Sequence, residues 1–341
     1  MNSVLNLGII GVGGIGKVHA RNVATKIPNA KLVAIADINI DVARKVAQEI
    51  GLKDIKIYSN YQELIQNSNI DGVIIATPTF TKKDIVIAAA DAGKHVFVEK
   101  PLALNLRDVD EMIKHVERQR IKVVVGYQRR YDRAFIKAKE AVSQGKVGNI
   151  LTIKSWTRDP PPMPQGWAAD PRLSGGRLID SLTHDFDIIR YLTGTEVVSV
   201  YAEGSVMVYE EYKKLGDYDH LFVILKMSNG ILGLAEYSGY TPYGYDTGVE
   251  IHGSKGKVII SMGTNSSYMA ISDNAYIYDI PTHWTERYED AYVSELMDFV
   301  DSVINDREPK CTIYDGRAAL EIALAAWESI RKGVPVKIPL G

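Results

Sequence analysis

The chain has 341 residues, of which 46% are hydrophobic, and its 40 Lys and Arg against 42 Asp and Glu leave a formal net charge of −2. This length is enough for two domains, and the balanced charge argues against a nucleic-acid or anionic-membrane partner. The single cysteine, Cys311, excludes an internal disulfide framework or a cysteine-based zinc cluster, and it is typical of a reducing compartment.

The first apolar run, Leu5–Ile10, has no basic segment before it and ends in a glycine turn, so we expect a strand and not a signal peptide. No run approaches the ~20 apolar residues that a transmembrane helix needs. The sequence therefore predicts a cytoplasmic protein without a membrane partner.

The turn after this strand has the spacing G-x-G-x-x-G. Gly11 permits the tight turn, Gly13 lets the backbone approach a pyrophosphate, and Gly16 lets the following helix pack closely. Asp37 ends the next apolar run about 20 residues later, where a carboxylate binds ribose hydroxyls. A glycine turn followed by a chance acid is the alternative, but motif, helix and strand-end acid agree. Because Asp37 would repel a 2′-phosphate, we expect NAD and not NADP as the cofactor.

Short apolar strands alternate with amphipathic helices up to residue 126. This alternation predicts a Rossmann-type α/β domain over residues 1–126, with a doubly wound parallel sheet. The predicted strands are Leu5–Ile10, Lys31–Asp37, Ile55–Tyr58, Gly72–Ala76, His95–Glu99 and Val123–Gly126. Ligands of such sheets bind at the carboxyl ends of the strands. The predicted cofactor-binding residues are therefore Gly11, Gly13, Gly14, Ile15, Asp37, Thr77, Pro78, Glu99 and Lys100.

The pattern changes after residue 127, and we expect residues 127–341 to form an α+β domain with an antiparallel sheet. Asn-Gly at Ser228–Gly230 predicts a hairpin between Leu221–Met227 and Ile231–Tyr237. A second hairpin is predicted around Gly253–Gly256. Helices are predicted over Arg133–Ser143, Leu178–Leu192, Glu286–Asn305 and Gly316–Lys332.

Lys100 follows a strand end and precedes Pro101, which restricts the local backbone. A lysine at this edge can donate hydrogen bonds to a substrate hydroxyl and stabilise its deprotonated form. Taken alone, Lys100 fits a solvated cation at the end of a strand. Its position on the ligand-binding edge favours a functional role.

The predicted helix Leu178–Leu192 carries Asp180, His184, Asp187 and Tyr191 at spacings that share one face. An imidazole one turn from a carboxylate suits general acid–base chemistry. A surface helix with an ion-paired histidine is the structural alternative. A metal bound by His184, Asp185 and Asp187 is a third interpretation, but no second histidine stands at ligand spacing, so we expect no metal.

Two further clusters follow strand ends or fill loops. Arg129, Arg130 and Tyr131 could clamp a cofactor phosphate, hold substrate, or pair with acids. Tyrosines crowd Gly239–Asp246, which suits a polyhydroxylated ligand or a subunit interface.

The chain resembles the glucose–fructose oxidoreductase / inositol dehydrogenase / rhizopine catabolism (Gfo/Idh/MocA) family, and within it the inositol dehydrogenase branch. The resemblance runs through essentially the whole chain. It rests on GVGGIGKVHA at Gly11–Ala20, EKPL at Glu99–Leu102, GYQRRYD at Gly126–Asp132, SGGRLIDSLTHDFDIIRYL at Ser174–Leu192 and YGYD at Tyr243–Asp246. One departure is Pro160–Pro171, longer and richer in proline than simple inositol dehydrogenases lead us to expect, which could reshape the pocket.

The resemblance implies a large open antiparallel sheet in the second domain and a homo-oligomer, expected as a tetramer with a dimer as the alternative. It also implies NAD-dependent oxidation of a secondary hydroxyl of a cyclic polyol, first of all myo-inositol. The implied catalytic residues are Lys100, Asp180 and His184, with His184 as the base, and the implied substrate-binding residues are Lys100, Arg129, Asp159, Asp180, His184 and Tyr245. The alternatives are an aldose-type sugar dehydrogenase and a ligand-sensing regulator without turnover.

Overall fold

The structure is a computed structural model that describes residues 4–272 and 274–340, and the chain divides into two compact units. The first unit runs up to Tyr131 and also includes Asp290–Ala318, while the second comprises Asp132–Glu289 and continues from Ala319. The domain boundary expected after residue 126 stays a prediction. Residues 290–318, assigned by sequence to the second domain, pack in this structure with the first unit.

The first part of the chain alternates strand and helix. Its elements are β1 Leu5–Ile10, α1 Gly14–Lys26, β2 Ala30–Ala36, α2 Ile40–Ile50, β3 Lys56–Tyr58, α3 Tyr61–Gln66, β4 Gly72–Ile75, α4 Lys82–Asp91, β5 His95–Glu99, α5 Leu106–Gln119 and β6 Val123–Gly126. Asparagine side chains accept hydrogen bonds from the first free N–H groups of α2, α3 and α5, at Asn39, Asn60 and Asn105. These caps explain why the helices begin where they do.

The strands of the first unit form a parallel sheet in the order β3-β2-β1-β4-β5-β6, six strands within the described residues. This is the doubly wound order, and the crossover direction changes between β1 and β4. The predicted Rossmann sheet is confirmed. Buried side chains of β1 and α1 pack with Leu296 and Phe299 in one core, so part of the later chain completes this unit.

The rest of the chain mixes longer strands with helices. Its elements are α6 Arg133–Ser143, β7 Ile150–Arg158, α7 Pro171–Ser174, α8 Gly176–Asp180, α9 Thr183–Thr193, β8 Val197–Ser205, α10 Glu211–Leu215, β9 His220–Met227, β10 Leu232–Ser238, β11 Asp246–Gly253, β12 Lys257–Ile260, β13 Met269–Ser272, β14 Ala275–Tyr278, α11 Trp284–Arg287, α12 Glu289–Ile304, α13 Ile313–Lys332 and β15 Val336–Lys337. Within residues 4–272 and 274–340, even the longest helix lacks the run of apolar residues required to cross a membrane.

The second unit is built on a sheet with the order β12-β11-β7-β10-β9-β8-β15. Both predicted hairpins are confirmed, since β9 pairs antiparallel with β10 and β11 with β12. The sheet is mixed, however, because β10 runs parallel to β7. The sequence could not show this pairing, since β7 and β10 are separated by a long intervening segment.

The two faces of this sheet differ. Alternate residues of β9, such as Val223 and Leu225, are fully buried, and α9 packs against β7 and β10. The residues between them, such as Phe222 and Ile224, are about half exposed at 52% and 50%. A strand alternates its side chains between faces, so one face forms the core of the unit and the other is open in the single chain.

Candidate active site

The glycine turn after β1 leaves space for a ligand at its outer side. Gly11 has φ +85°, and a Cβ at Gly16 would lie 2.0 Å from the carbonyl oxygen of Gly11, so α1 approaches the strand too closely for any side chain there. At Gly13 and Gly14, which are exposed, a built Cβ would meet no atom within 4 Å in the described part of the chain. The first turn of α1 carries no acidic side chain among these residues. This cradle fits a pyrophosphate, with Ile15 in the same turn.

Asp37 is held in place directly beside the glycine turn. One carboxylate oxygen accepts the backbone N–H of Val12 at 2.9 Å, and the other accepts the N–H of Asn39 at 2.9 Å. Each oxygen retains acceptor capacity for a ligand hydroxyl. Ile38 is almost fully exposed, and neither it nor Asn39 offers a cation for a 2′-phosphate. The position therefore suits the ribose hydroxyls of NAD.

The other predicted cofactor residues lie where strands of the same sheet end. After β4, Thr77 and Pro78 sit in a tight turn, in which the Thr81 hydroxyl is 2.8 Å from both the Thr77 hydroxyl and the Pro78 carbonyl oxygen. After β5, Glu99 is buried and Lys100 half-buried, and the Lys100–Pro101 peptide is cis. In parallel sheets these ends share one edge with the glycine turn.

The cluster after β6 is structural in part. The Arg130 guanidinium donates to the Lys310 carbonyl at 2.8 Å and pairs with Asp315 at 2.9 Å, and Tyr131 donates to Asp298 at 2.9 Å. These contacts join the turn after β6 to the later chain of the first unit. Arg129 is 1% exposed, so its predicted contact with substrate would have to form below the protein surface.

A buried group that sequence reasoning missed lies behind Glu99. His19 Nε2 is 2.7 Å from Glu99 Oε1 and 3.9 Å from Glu295 Oε1. Neither His19 Nδ1 nor either oxygen of Glu295 has a hydrogen-bond partner among residues 4–272 and 274–340. Burial, and then the charge of Glu99, raises the pKa of Glu295 well above its ordinary value of 4.5. Glu295 therefore holds a proton over a range in which an exposed glutamate is ionised.

The same three residues could hold a metal, since their ligand atoms lie within 4.8 Å of one another. One imidazole and two carboxylates are a chemically reasonable ligand set. A hydrogen bond between His19 and Glu99 and a protonated Glu295 account for the same geometry without a metal. The expectation of no metal stays a prediction.

In the second unit, Asp180 and His184 lie on either side of a helix break. The predicted single helix Leu178–Leu192 is wrong: α8 ends at Asp180 and α9 begins at Thr183. The Thr183 hydroxyl donates to the Ile179 carbonyl at 2.7 Å, which competes with the continuing backbone ladder. Asp180 and His184 are both half-buried at this break.

The Asp180 carboxylate pairs with Arg177, which sequence reasoning did not single out. The two side chains are 3.2 Å apart, and Arg177 is 2% exposed. Burial opposes the charge of Arg177, but Asp180 and neighbouring groups raise its pKa above the ordinary arginine value. The i,i+3 spacing from Arg177 to Asp180 was the available signal.

Two buried phenols complete this cluster. Burial raises the pKa of Tyr212 to about 12, and burial with the charge of Asp159 raises that of Tyr237 well above 10.0. These couplings place Asp159 in the electrostatic environment of the Arg177 cluster. Tyr212 and Tyr237 stand far from Arg177 in sequence, so only the fold could bring them together.

Register places Tyr245 near Asp159. Asp246 pairs with Arg158 in antiparallel β11 and β7, so the next positions outward are Tyr245 and Asp159. Tyr245 is 5% exposed and packs edge-to-face on Tyr288. Arg158 is on the other face, where it binds Glu236 at 2.6 Å and Asp246 at 2.8 Å.

Asp185 has a structural role. Its carboxylate accepts the hydroxyls of Ser155 and Thr157 at 2.5 Å each, which ties α9 to β7. Asp187 is also buried, at 1% exposure. Since Asp185 already binds two hydroxyls, the structure gives the metal interpretation of His184, Asp185 and Asp187 no support.

A Rossmann sheet with this glycine turn and strand-end acid defines a dinucleotide-binding fold. Residues 5–127 match the oxidoreductase family described as an NAD-binding Rossmann fold, and residues 139–338 match its C-terminal alpha/beta domain. The chain belongs to this Gfo/Idh/MocA family and binds NAD, as its sequence resemblance implied.

Relatives with full-length similarity have named activities. The chain is 38% identical to myo-inositol 2-dehydrogenase of Thermotoga maritima, covering 98% of both proteins. It is 34% identical to scyllo-inositol 2-dehydrogenase (NAD(+)) of Bacillus subtilis, covering 99% of this chain and 97% of that protein. It superposes with a TM-score of 0.92 and 29% identity on scyllo-inositol dehydrogenase of Lactobacillus casei with bound NAD(H) and scyllo-inositol, covering 99% and 100% of the two chains.

The buried Glu295 predicts a pH-dependent stability. Because the native carboxyl keeps a proton that the unfolded chain releases above pH 4.5, the contribution of Glu295 to wild-type stability falls as pH rises from that value. Glu295→Gln removes this loss, so its stability relative to wild type should increase between pH 5 and pH 8 by at least about 1 kcal/mol. Urea unfolding at a fixed protein concentration measures the difference. Glu63→Gln, at an exposed position of α3, is the control and should show no such trend, and parallel pH profiles for Glu295→Gln and wild type would contradict the assignment.

Proposed function

We propose that this protein is an NAD-dependent inositol 2-dehydrogenase that oxidises a secondary hydroxyl of a cyclic polyol, myo-inositol first, to the ketone. The observation that carries the proposal is full-length similarity to relatives named myo- and scyllo-inositol 2-dehydrogenase. The chain's own features are consistent with it, since Asp37 suits NAD and Lys100, Asp180 and His184 are each half-buried polar groups.

The chemistry requires removal of a proton from oxygen and a hydride from carbon. When bound, NAD supplies the hydride acceptor. We assign to His184 the removal of the hydroxyl proton, because a neutral imidazole is the side chain suited to that task near neutral pH. Lys100 would donate to the hydroxyl oxygen and stabilise its developing negative charge.

Asp180 has a supporting part in this proposal. Its ion pair with the buried Arg177 limits its rotamers. An ionised carboxylate stabilises a nearby imidazolium or ammonium, so Asp180 would favour the protonated form of the base after proton transfer. Because Asp180 acts on the base and does not take the proton, we expect it to contribute less to kcat than His184.

The proposed substrate contacts are chemically matched to a polyol. The Asp159 carboxylate can accept hydroxyl hydrogens, the Tyr245 phenol can donate or accept, and Arg129 can donate. The charge of Asp159 acts on the same cluster as Arg177 and Asp180. A ring with hydroxyls around its edge needs several donors and acceptors in one region.

We also propose that the protein acts in the cytoplasm as a homo-oligomer, a tetramer first and a dimer as the alternative. The open face of the second-unit sheet supports it: neighbouring strands expose Phe222, Ile224 and Leu232, each at about half of its surface. Contiguous apolar side chains of this kind mark interfaces. A symmetric pairing of identical faces would bury them.

The activity is tested by NADH formation across inositol isomers and pyranoses. We expect oxidation of myo-inositol or scyllo-inositol and at least a tenfold preference for NAD over NADP, because Asp37 loses a hydrogen bond to the ribose and meets a like charge, more than ~1.4 kcal/mol together. Asp37→Asn, which removes the charge, should narrow this preference. Oxidation of pyranoses alone would favour the sugar dehydrogenase, and equal efficiency with both cofactors would remove the role of Asp37.

The assignment of the base is tested by His184→Ala. We expect kcat to fall by roughly 10²–10⁴-fold with NAD affinity nearly unchanged, and Asp180→Asn to lose less. In the wild type, kcat/KM should rise with pH near neutrality, because an essential histidine base must first lose its own proton. His115→Ala, on α5 and outside every proposed contact, is the matched control and should behave as wild type. Joint loss of NAD binding and turnover in His184→Ala would show that His184 is structural.

The assembly is tested by light scattering at micromolar concentration. Ile224→Lys places a charge on the open sheet face and should reduce the molar mass relative to wild type. Lys226→Ala, two residues along the same strand and exposed, should leave the mass unchanged. A monomeric wild-type protein would contradict the proposal directly.

A further inference from the structure

Lys82 is a buried lysine whose charge is directed at backbone carbonyls. It is the first residue of α4 and 2% exposed. Its ammonium donates to the carbonyl oxygen of Lys100 at 2.8 Å and to that of Pro101 at 2.9 Å. A buried ammonium is costly unless its hydrogens are used. Here the ammonium hydrogens bind the backbone carbonyl oxygens of Lys100 and Pro101.

The neighbouring lysine shows the contrast. Lys83 lies 3.1 Å from Asp108 and 2.9 Å from Glu111, and its side chain is 30% exposed. Such surface ion pairs contribute little to stability and hold no backbone. Adjacent lysines of one helix therefore have different environments, and only Lys82 reaches the segment after β5.

The same segment is held from its other side by Glu99. The Glu99 carboxylate contacts His19 Nε2 at 2.7 Å, and a Cβ at Gly126 would lie 3.1 Å from the Glu99 carboxyl carbon. Glu99 is thus held by His19 of α1 and fits against β6 because Gly126 has no side chain. With Glu99 fixed before it and two carbonyls bound after it, the backbone of Lys100 has little freedom to rotate.

We propose that Lys82 is a positioning residue for Lys100, which sets the direction of the Lys100 side chain by binding the carbonyls of Lys100 and Pro101. The inference rests on the proposed function, in which Lys100 contacts the reacting hydroxyl. Charge stabilisation at a reacting oxygen depends steeply on donor placement, so a small rotation of this backbone lowers turnover. Lys82 itself needs no contact with substrate or cofactor.

A double-mutant cycle tests the proposal with NAD and the inositol that the wild type oxidises. The proteins are wild type, Lys82→Met, Lys100→Met, the double variant and the control Lys83→Met, with kcat expressed per NAD-binding site. We expect Lys82→Met to lower kcat about 10–100-fold with NAD affinity within about twofold. In the Lys100→Met background the same change should cost less than about twofold, because the group that Lys82 positions is gone. Lys83→Met should match wild type.

Two results would overturn the proposal: wild-type kcat in Lys82→Met, or an equal fold-loss in both backgrounds, which is the signature of a structural role. If Lys82→Met does not fold, Lys82→Gln gives the same comparison. Its amide nitrogen lies one bond nearer the backbone than the ammonium, so the polar side chain does not reach the two carbonyls in the same way. Wild-type kcat in Lys100→Met would instead refute the role of Lys100 in the proposed function. The two failures are therefore distinguishable.

Discussion

The close approach of α1 to the end of β1 is the constraint on which the first unit depends. A side chain at Gly16 would overlap the Gly11 carbonyl, so the helix lies against the strand with its first N–H groups beside the open turn. His19, one turn along the same helix, is then within hydrogen-bond distance of Glu99. One packing contact therefore shapes the nucleotide cradle and also supports the segment that carries Lys100.

Buried charged groups lie beside the backbone of Lys100, beside Asp180 and on the helix that carries His184. Lys82 binds the carbonyls after Lys100, Arg177 pairs with Asp180, and Asp185 holds two hydroxyls of β7. An unpaired buried charge costs several kcal/mol, so each of these contacts strongly favours one local arrangement. The result is that the polar groups assigned to catalysis start from backbone that is fixed by packing and hydrogen bonds. Precise placement of this kind is what transition-state stabilisation requires.

Glu295 shows the cost of such an arrangement. Its side chain is fully buried and lies 3.9 Å from His19, and it is relieved of charge by holding a proton. This carboxyl reduces stability as pH rises, while its neighbour Glu99 stays bound to His19.

Local patterns in the sequence determined the Rossmann strands, both hairpins, the glycine turn and the acid at Asp37. The bounds of β1, β5 and β6 are those predicted, because short apolar runs between helices and turn residues are governed by near neighbours in the chain. The parallel pairing of β7 with β10 and the contacts of Lys82 and Glu295 were decided by tertiary structure, because each depends on a partner that is distant in sequence. The helix break at Thr183 involves a local competition between a side chain and its own helix, which a periodic pattern does not show either.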